Sequence, residues 1–370
     1  MKKVVYMDAA ASWLKPQSVI ESEVDFLTNN YANAGRGICE RAGKVDDLIA
    51  ESRVKIANFI GADSTNIVWT YGTTDSMNRI VDIVTKTLPN KHPTIVVSDL
   101  DHHSSRLPWE MYAKDNNCKI ITMPLDENFN IDTKTIPDGD IYVITAMSNV
   151  MGAAQDVSSI IGVIRSKNKQ AITIVDAAQY VVHAKIDVKK FDCDFLAFSG
   201  HKIGADTGVG VMYIKNPDYW NVDKFGGGMV NKIIDKENII LNKSPEKYEA
   251  GTLPLTQIIG LSKAIEYLSN WNGGNDLISF MYDELSKIKN IKLVTSKDSS
   301  LITFVVKNMH VLDFGALIGM QNICIRVGNM CATWIHKKLN IDGSIRISVG
   351  PWNTMDDAKY VIEKIKKIVE

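Results

Sequence analysis

Long apolar runs, an excess of charge of either sign, and paired cysteines are all missing from this chain. No run approaches the ~18–20 apolar residues that a membrane span needs, so no membrane partner is expected. Forty-two Lys and Arg stand against 43 Asp and Glu, a formal net charge of -1, which gives no electrostatic basis for binding nucleic acid. The opening "MKKVVYMDAA" reaches Asp8 before a signal-peptide core can form, and a cytoplasmic location is expected. The five cysteines, Cys39, Cys118, Cys193, Cys324 and Cys331, are odd in number, widely spaced and without a CxxC pair. That excludes a disulfide framework and a structural zinc site, and no metal is expected. Internal repeats and low-complexity segments are absent too.

What is present is ordinary globular composition over 370 residues, more than one compact core usually covers. One large domain and one smaller one are the expectation. From about residue 65 to 215, short β-rich runs alternate with helical stretches: 94–100, 119–125, 140–148, 171–178, 195–200 and 208–215 read as strands. Between them lie helix-period patterns such as "VSSIIGVIRSKNK" (157–169). Such alternation predicts an α/β fold with a mostly parallel sheet covered on both faces. The last two runs are too close for a crossover helix, which predicts an antiparallel step. The region 216–250 reads as a polar connection or flap. From about 258 two amphipathic helices (258–271 and 275–288) precede strands at 302–306, 323–327 and 344–350 and a closing helix, 355–369, a small α+β domain.

Ligands of such sheets bind at the carboxyl ends of the strands. There the chain offers Gly72-Thr73-Thr74 opening a helical pattern, either an ordinary N-cap or a phosphate cup. It also offers His102-His103 after one strand, and Asp176 with Gln179 after another. Finally it offers Ser199-Gly200-His201-Lys202 at the end of "DFLAFSG". A lysine in partly apolar surroundings loses basicity and becomes a usable nucleophile. Lysine, strand-end carboxylate and phosphate cup together are what pyridoxal 5'-phosphate requires.

In order along the chain, "YMDAAASWLKP", "YANAGRGI", "GTTDSMN", "DHHSSRLPW", "SNVMGA", "VDAAQ", "DCDFLAFSGHK", "EAGTLPLTQIIGL", "RVGNMCA" and "RISVGPWNT" carry a resemblance. The chain resembles the class V aminotransferase family of fold-type I enzymes and, within it, the group II (SufS/NifS-like) cysteine desulfurases. The resemblance implies a large domain with a seven-stranded sheet over residues 16–250 and a small C-terminal domain over 251–370. Residues 1–15 would pack with the small domain. It implies that Lys202 bonds the cofactor and later moves the substrate's Cα proton, and that Asp176 pairs with the ring nitrogen. His102 would stack on the ring, Gln179 would reach the ring oxygen, and Asn149 would lie near ring and substrate. Thr73, Thr74, Ser199 and His201 would hold the phosphate. Thr252 would complete that cup from a neighbouring subunit, which implies a homodimer with a shared active site. Arg346, with Arg36, would bind the substrate, Arg346 holding its α-carboxylate.

Cys331 decides the reaction. A cysteine in this loop is either packed against Trp334 or, at the spacing of the family's persulfide cysteine, the acceptor of sulfur from the substrate. The resemblance implies conversion of L-cysteine to L-alanine with sulfur left on Cys331 for an acceptor protein. Selenocysteine is open as a substrate, and so is another class V reaction, such as a C–S lyase, an epimerase or an aminotransferase. The chain departs from the family at Asn329 and Met330, where histidines are usual, and at Gly35.

Overall fold

The structure is a computed structural model, and it describes residues 4–35 and 37–369. Its first part runs β1 (Val5–Tyr6), α1 (Gln17–Asp25), α2 (Glu40–Ile60), β2 (Ile67–Thr70), α3 (Thr73–Thr87), β3 (Ile95–Ser98), α4 (His103–Asn116) and β4 (Ile120–Met123). It continues with β5 (Ile141–Thr145), α5 (Val157–Lys167), β6 (Ile172–Asp176), β7 (Phe195–Ser199) and β8 (Gly210–Ile214). Seven of these strands form one sheet in the order β2-β8-β7-β6-β5-β3-β4.

Strands β7, β6, β5, β3 and β4 run parallel. The expected reversal is present: β8 is antiparallel to β7, pairing Phe195 with Ile214 and Ser199 with Gly210. Strand β2 is antiparallel to β8 in turn, so it points the same way as β7 and ends at the same edge. Side chains alternate between two buried faces, as period 2 requires. Val96, Tyr142, Ile144, Val175, Leu196 and Phe198 join one core with α2 and α5. Val97, Ile141, Val143, Ile174, Phe195 and Ala197 join the other with α3 and α4. The central strands are mostly apolar because neither of their faces meets water, whereas the edge strand β4 is only partly buried.

A second sheet of four antiparallel strands orders Ile291–Leu293, Ile302–Val306, Ser344–Ile347 and Arg326–Gly328. With helices Asn275–Ser286, Val311–Gly319 and Met355–Val369 it encloses a third core. Val5 and Met7 are buried in that core, and β1 pairs in parallel with Ile323–Cys324.

The helix observed at Leu255–Leu268 buries Ile258, Leu261 and Ala264 in the large core beside Val19 of α1 and Ile49 and Ile56 of α2. Its amphipathic pattern marked an apolar face but did not say which core would take it. The polar connection at 216–250 contains a hairpin, Val230–Ile233 with Ile239–Leu241, whose isoleucines are largely exposed.

Candidate active site

At the carboxyl edge of the seven-stranded sheet a cavity of about 270 Å³ opens between the two sheets. Strand β2 ends at Thr70 and leads into α3, which brings Thr73 and Thr74. His102 caps α4 after β3, Asn149 follows β5, and Asp176 is the last residue of β6. Ser199 closes β7, and the single turn Gly200–Ile203 carries His201 and Lys202. Met330, Cys331 and Arg346 come from the opposite side, on and beside the four-stranded sheet.

The entry to α3 is built around Ser199. Its hydroxyl accepts the Thr73 backbone N–H and pairs with the Thr73 hydroxyl, both at 2.8 Å. Gly72 holds φ +136°, a left-handed conformation that side-chain-bearing residues rarely adopt, and a Cβ there would meet Ser199 Oγ at 3.2 Å. Gly210, paired with Ser199, leaves no room either: its Cβ would stand 2.5 Å from Gly72 Cα. The backbone amides and hydroxyls of this corner, at a helix N-terminus, favour an anion. Thr74 Oγ1 pairs with Ser104 Oγ at 2.7 Å on its rim.

Asp176 is buried. Its Oδ2 accepts the Ser105 hydroxyl and its Oδ1 accepts the Ala178 N–H at 2.9 Å. Behind it Asp101, fully enclosed, accepts the Thr145 hydroxyl and the Ser98 N–H, each at 2.7 Å. Burial nevertheless pushes the Asp101 carboxyl up to about 7, and the Asp176 charge adds to this. His102 accepts the Ser104 N–H on Nδ1 at 3.2 Å, and burial beside the Lys202 ammonium pulls it down to about 4, so the ring is neutral. His201 is lowered to about 4 for the same reasons, burial first.

Lys202 makes no hydrogen bond among the described residues. Burial lowers its amine to about 8, partly opposed by the Asp176 charge. Its turn is strapped from outside: His201 O accepts the Trp13 N–H at 3.0 Å and the Ser12 hydroxyl at 3.2 Å, and Lys15 donates to Ala205 O at 2.6 Å.

On the opposite wall Arg346 is buried and donates from Nη2 to Asp8 Oδ1 (2.9 Å) and from Nη1 to Asn149 O (3.0 Å). Asn149 in turn donates from Nδ2 to Met330 O at 2.8 Å. The His103 N–H donates to Cys331 O at 2.7 Å, and His103 Nε2 meets Thr333 Oγ1 at 3.0 Å. Met330 and Cys331 both hold positive φ (49° and 54°), a sharp bend that leaves Cys331 exposed at the cavity mouth. Trp334 packs instead against His103 and under the Arg106 guanidinium.

The cavity thus brings together Lys202, Asp176, His102, Asn149, Gln179, Thr73, Thr74, Ser199, His201, Arg346 and Cys331. Thr252 does not line it and is exposed on the same chain. Arg36 lies outside the described residues. Sequence reasoning missed Ser105 and Asp101, which hold and flank Asp176, and it missed Asp8. Asp8 carried a signal, since it is an acidic residue inside the apolar stretch "VVYMDAAA", where it needs a partner.

The family model described as "Aminotransferase class-V" matches residues 5–361. The chain belongs to the class V aminotransferase family. Among its relatives, a protein of Borreliella burgdorferi named "Probable cysteine desulfurase" is 34% identical over 100% of this chain and 92% of its own length. "Cysteine desulfurase CsdA" of Escherichia coli is 31% identical over 99% and 94%. The apo structure of a cysteine desulfurase from Thermococcus onnurineus NA1 superposes with a TM-score of 0.93 at 28% identity, covering 99% of this chain and 94% of that one.

Proposed function

We propose that this protein is a pyridoxal-phosphate-dependent cysteine desulfurase that converts L-cysteine to L-alanine and leaves the sulfur on Cys331. The observation that carries the reading is the convergence of Lys202, Asp176, Arg346 and Cys331 on one cavity, from two different sheets. The residues present fit the cofactor. Among the described residues, Gln179 Oε1 and Asn149 Oδ1 are buried without partners, and Asp176 is a buried carboxylate with no cation bonded to it. The glycine-lined corner at Thr73 and Ser199 suits a phosphate, with Thr74 and His201 on its border. When bound, the group supplies an electron sink for charge developing at the substrate's Cα.

The chain's own residues would then divide the work. Asp176, held by Ser105 and Ala178, would keep a ring nitrogen protonated. Neutral His102 would cover a ring face without adding a charge. Lys202, with an amine near 8, is suited to take a proton from Cα and return it. Arg346 would hold the substrate carboxylate. The Cys331 thiolate would attack the substrate's sulfur: an S–S bond forms, the Cβ–S bond breaks, and its electron pair stays with the carbon skeleton, which is protonated to alanine.

The exposed Cys331 suits delivery of the sulfur to an acceptor protein. Thr252, exposed on this chain, would serve the cup of a second copy, so the reading includes a homodimer with shared sites. Among the described residues no helix is long and apolar enough to cross a membrane, and a cytoplasmic enzyme is part of the proposal.

The test compares wild type with Cys331→Ala, measuring alanine released from L-cysteine under a reductant. Alanine from wild type, lost in the variant, is the expected result. Alanine unaffected by the substitution, or pyruvate in its place, would make this a lyase-type member of the family in which Cys331 is incidental.

A further inference from the structure

Asp8 joins two arginines that face the cavity. It follows β1, bridges to Ser348 beside the strand that carries Arg346, and is buried. Its Oδ1 accepts from Arg346 Nη2 at 2.9 Å and its Oδ2 from Arg326 Nη2 at 2.6 Å. With Nη1 tied to Asn149 O, the Arg346 guanidinium is fixed on two sides. Its Nε, buried, has no acceptor among the described residues. A buried donor left unpaired is costly, so this atom points to a ligand. The charge count agrees: two guanidiniums and one carboxylate leave a single positive charge, and a monocarboxylate amino acid brings a single negative one in its α-carboxylate.

We propose that Asp8 is the positioning residue for substrate recognition. It holds Arg346 and Arg326 so that the free Nε edge of Arg346 receives the α-carboxylate. The inference rests on the desulfurase reading, which supplies an amino acid substrate. Asp8 does not touch the reacting atoms; it acts through the arginines. A flexible arginine would otherwise have to be ordered by the substrate at an entropic cost, and the prior ion pair removes that cost.

The test uses holoenzyme, wild type and Asp8→Asn, titrated with two probes while the cofactor's absorbance is followed. L-Alanine carries the carboxylate; ethylamine is the same amine without it. The expected result is a dissociation constant for L-alanine raised about tenfold or more, the loss of one charge-assisted hydrogen bond, with ethylamine within about twofold of wild type. Asp8→Glu, which keeps the charge but moves it by one methylene, should give an intermediate loss confined to L-alanine. If both probes weaken alike, Asp8 merely supports the fold and the proposal is wrong. It is equally wrong if neither changes, if L-alanine binds more tightly, or if neither variant folds. A wild-type protein that shows no cofactor absorbance would instead refute the desulfurase reading itself.

Discussion

Removing Lys202 should make the cofactor-free protein more stable. Its amine falls from an ordinary 10.5 to about 8 because burial penalises the charged form more than Asp176 rewards it. At 1.36 kcal/mol per pH unit, that drop is a penalty of about 3 kcal/mol for keeping the ammonium in the folded state. At pH 7 the lysine is protonated in both folded and unfolded chains, so the full penalty applies. Between pH 8 and 10.5 the unfolded chain binds more protons, so wild type gains stability with rising pH, and above 10.5 nothing is left of the penalty. Lys202→Met keeps the length and apolar bulk without the charge, and Lys202 has no hydrogen bond to lose. Urea unfolding of both proteins, stripped of pyridoxal phosphate, should show the variant more stable by about 3 kcal/mol at pH 7 and nearly equal to wild type at pH 10.5. An equal or less stable variant at pH 7 would refute the reasoning, as would a difference that does not shrink with pH.

Two other substitutions test the framework behind the site. Gly72→Ala should cost about 1–3 kcal/mol in urea unfolding, because φ +136° suits only glycine and the new methyl crowds Ser199; an unchanged midpoint would mean the corner relaxes freely. Arg53→Met should cost about 3–5 kcal/mol, since it strands the buried Glu249 carboxylate that Arg53 holds at 2.8 Å on both oxygens. A loss under about 1 kcal/mol there would show water reaching Glu249 in the folded state.

Most of the parallel strands were legible because they are apolar on both faces and bounded by turns, and the β7–β8 reversal because the ten residues between Ser199 and Gly210 cannot hold a crossover helix. Strand β2 was less legible: four residues beside Asn66 carry little pattern of their own. Lys202, Asp176 and His102 could be found since polar residues at the ends of apolar runs stand out. Cys331 could not be placed by any such rule; its position depends on a bend at Met330 and on contacts with His103 and Asn149, more than 180 residues away in sequence. The same holds for Ser105, an unremarkable serine within a helix until its hydroxyl is seen on Asp176.

The contact between Asp8 and Arg346 spans 338 residues. At the ~5–20 residues per second of synthesis, the arginine leaves the ribosome many seconds after the carboxylate that holds it. Through that interval the seven-stranded sheet can already be complete, with Lys202 and Asp176 at its edge, while the wall proposed to hold the substrate does not yet exist. On the proposed function, a nascent chain could therefore take up the cofactor before it can choose an amino acid, and selectivity would be the last property the molecule acquires.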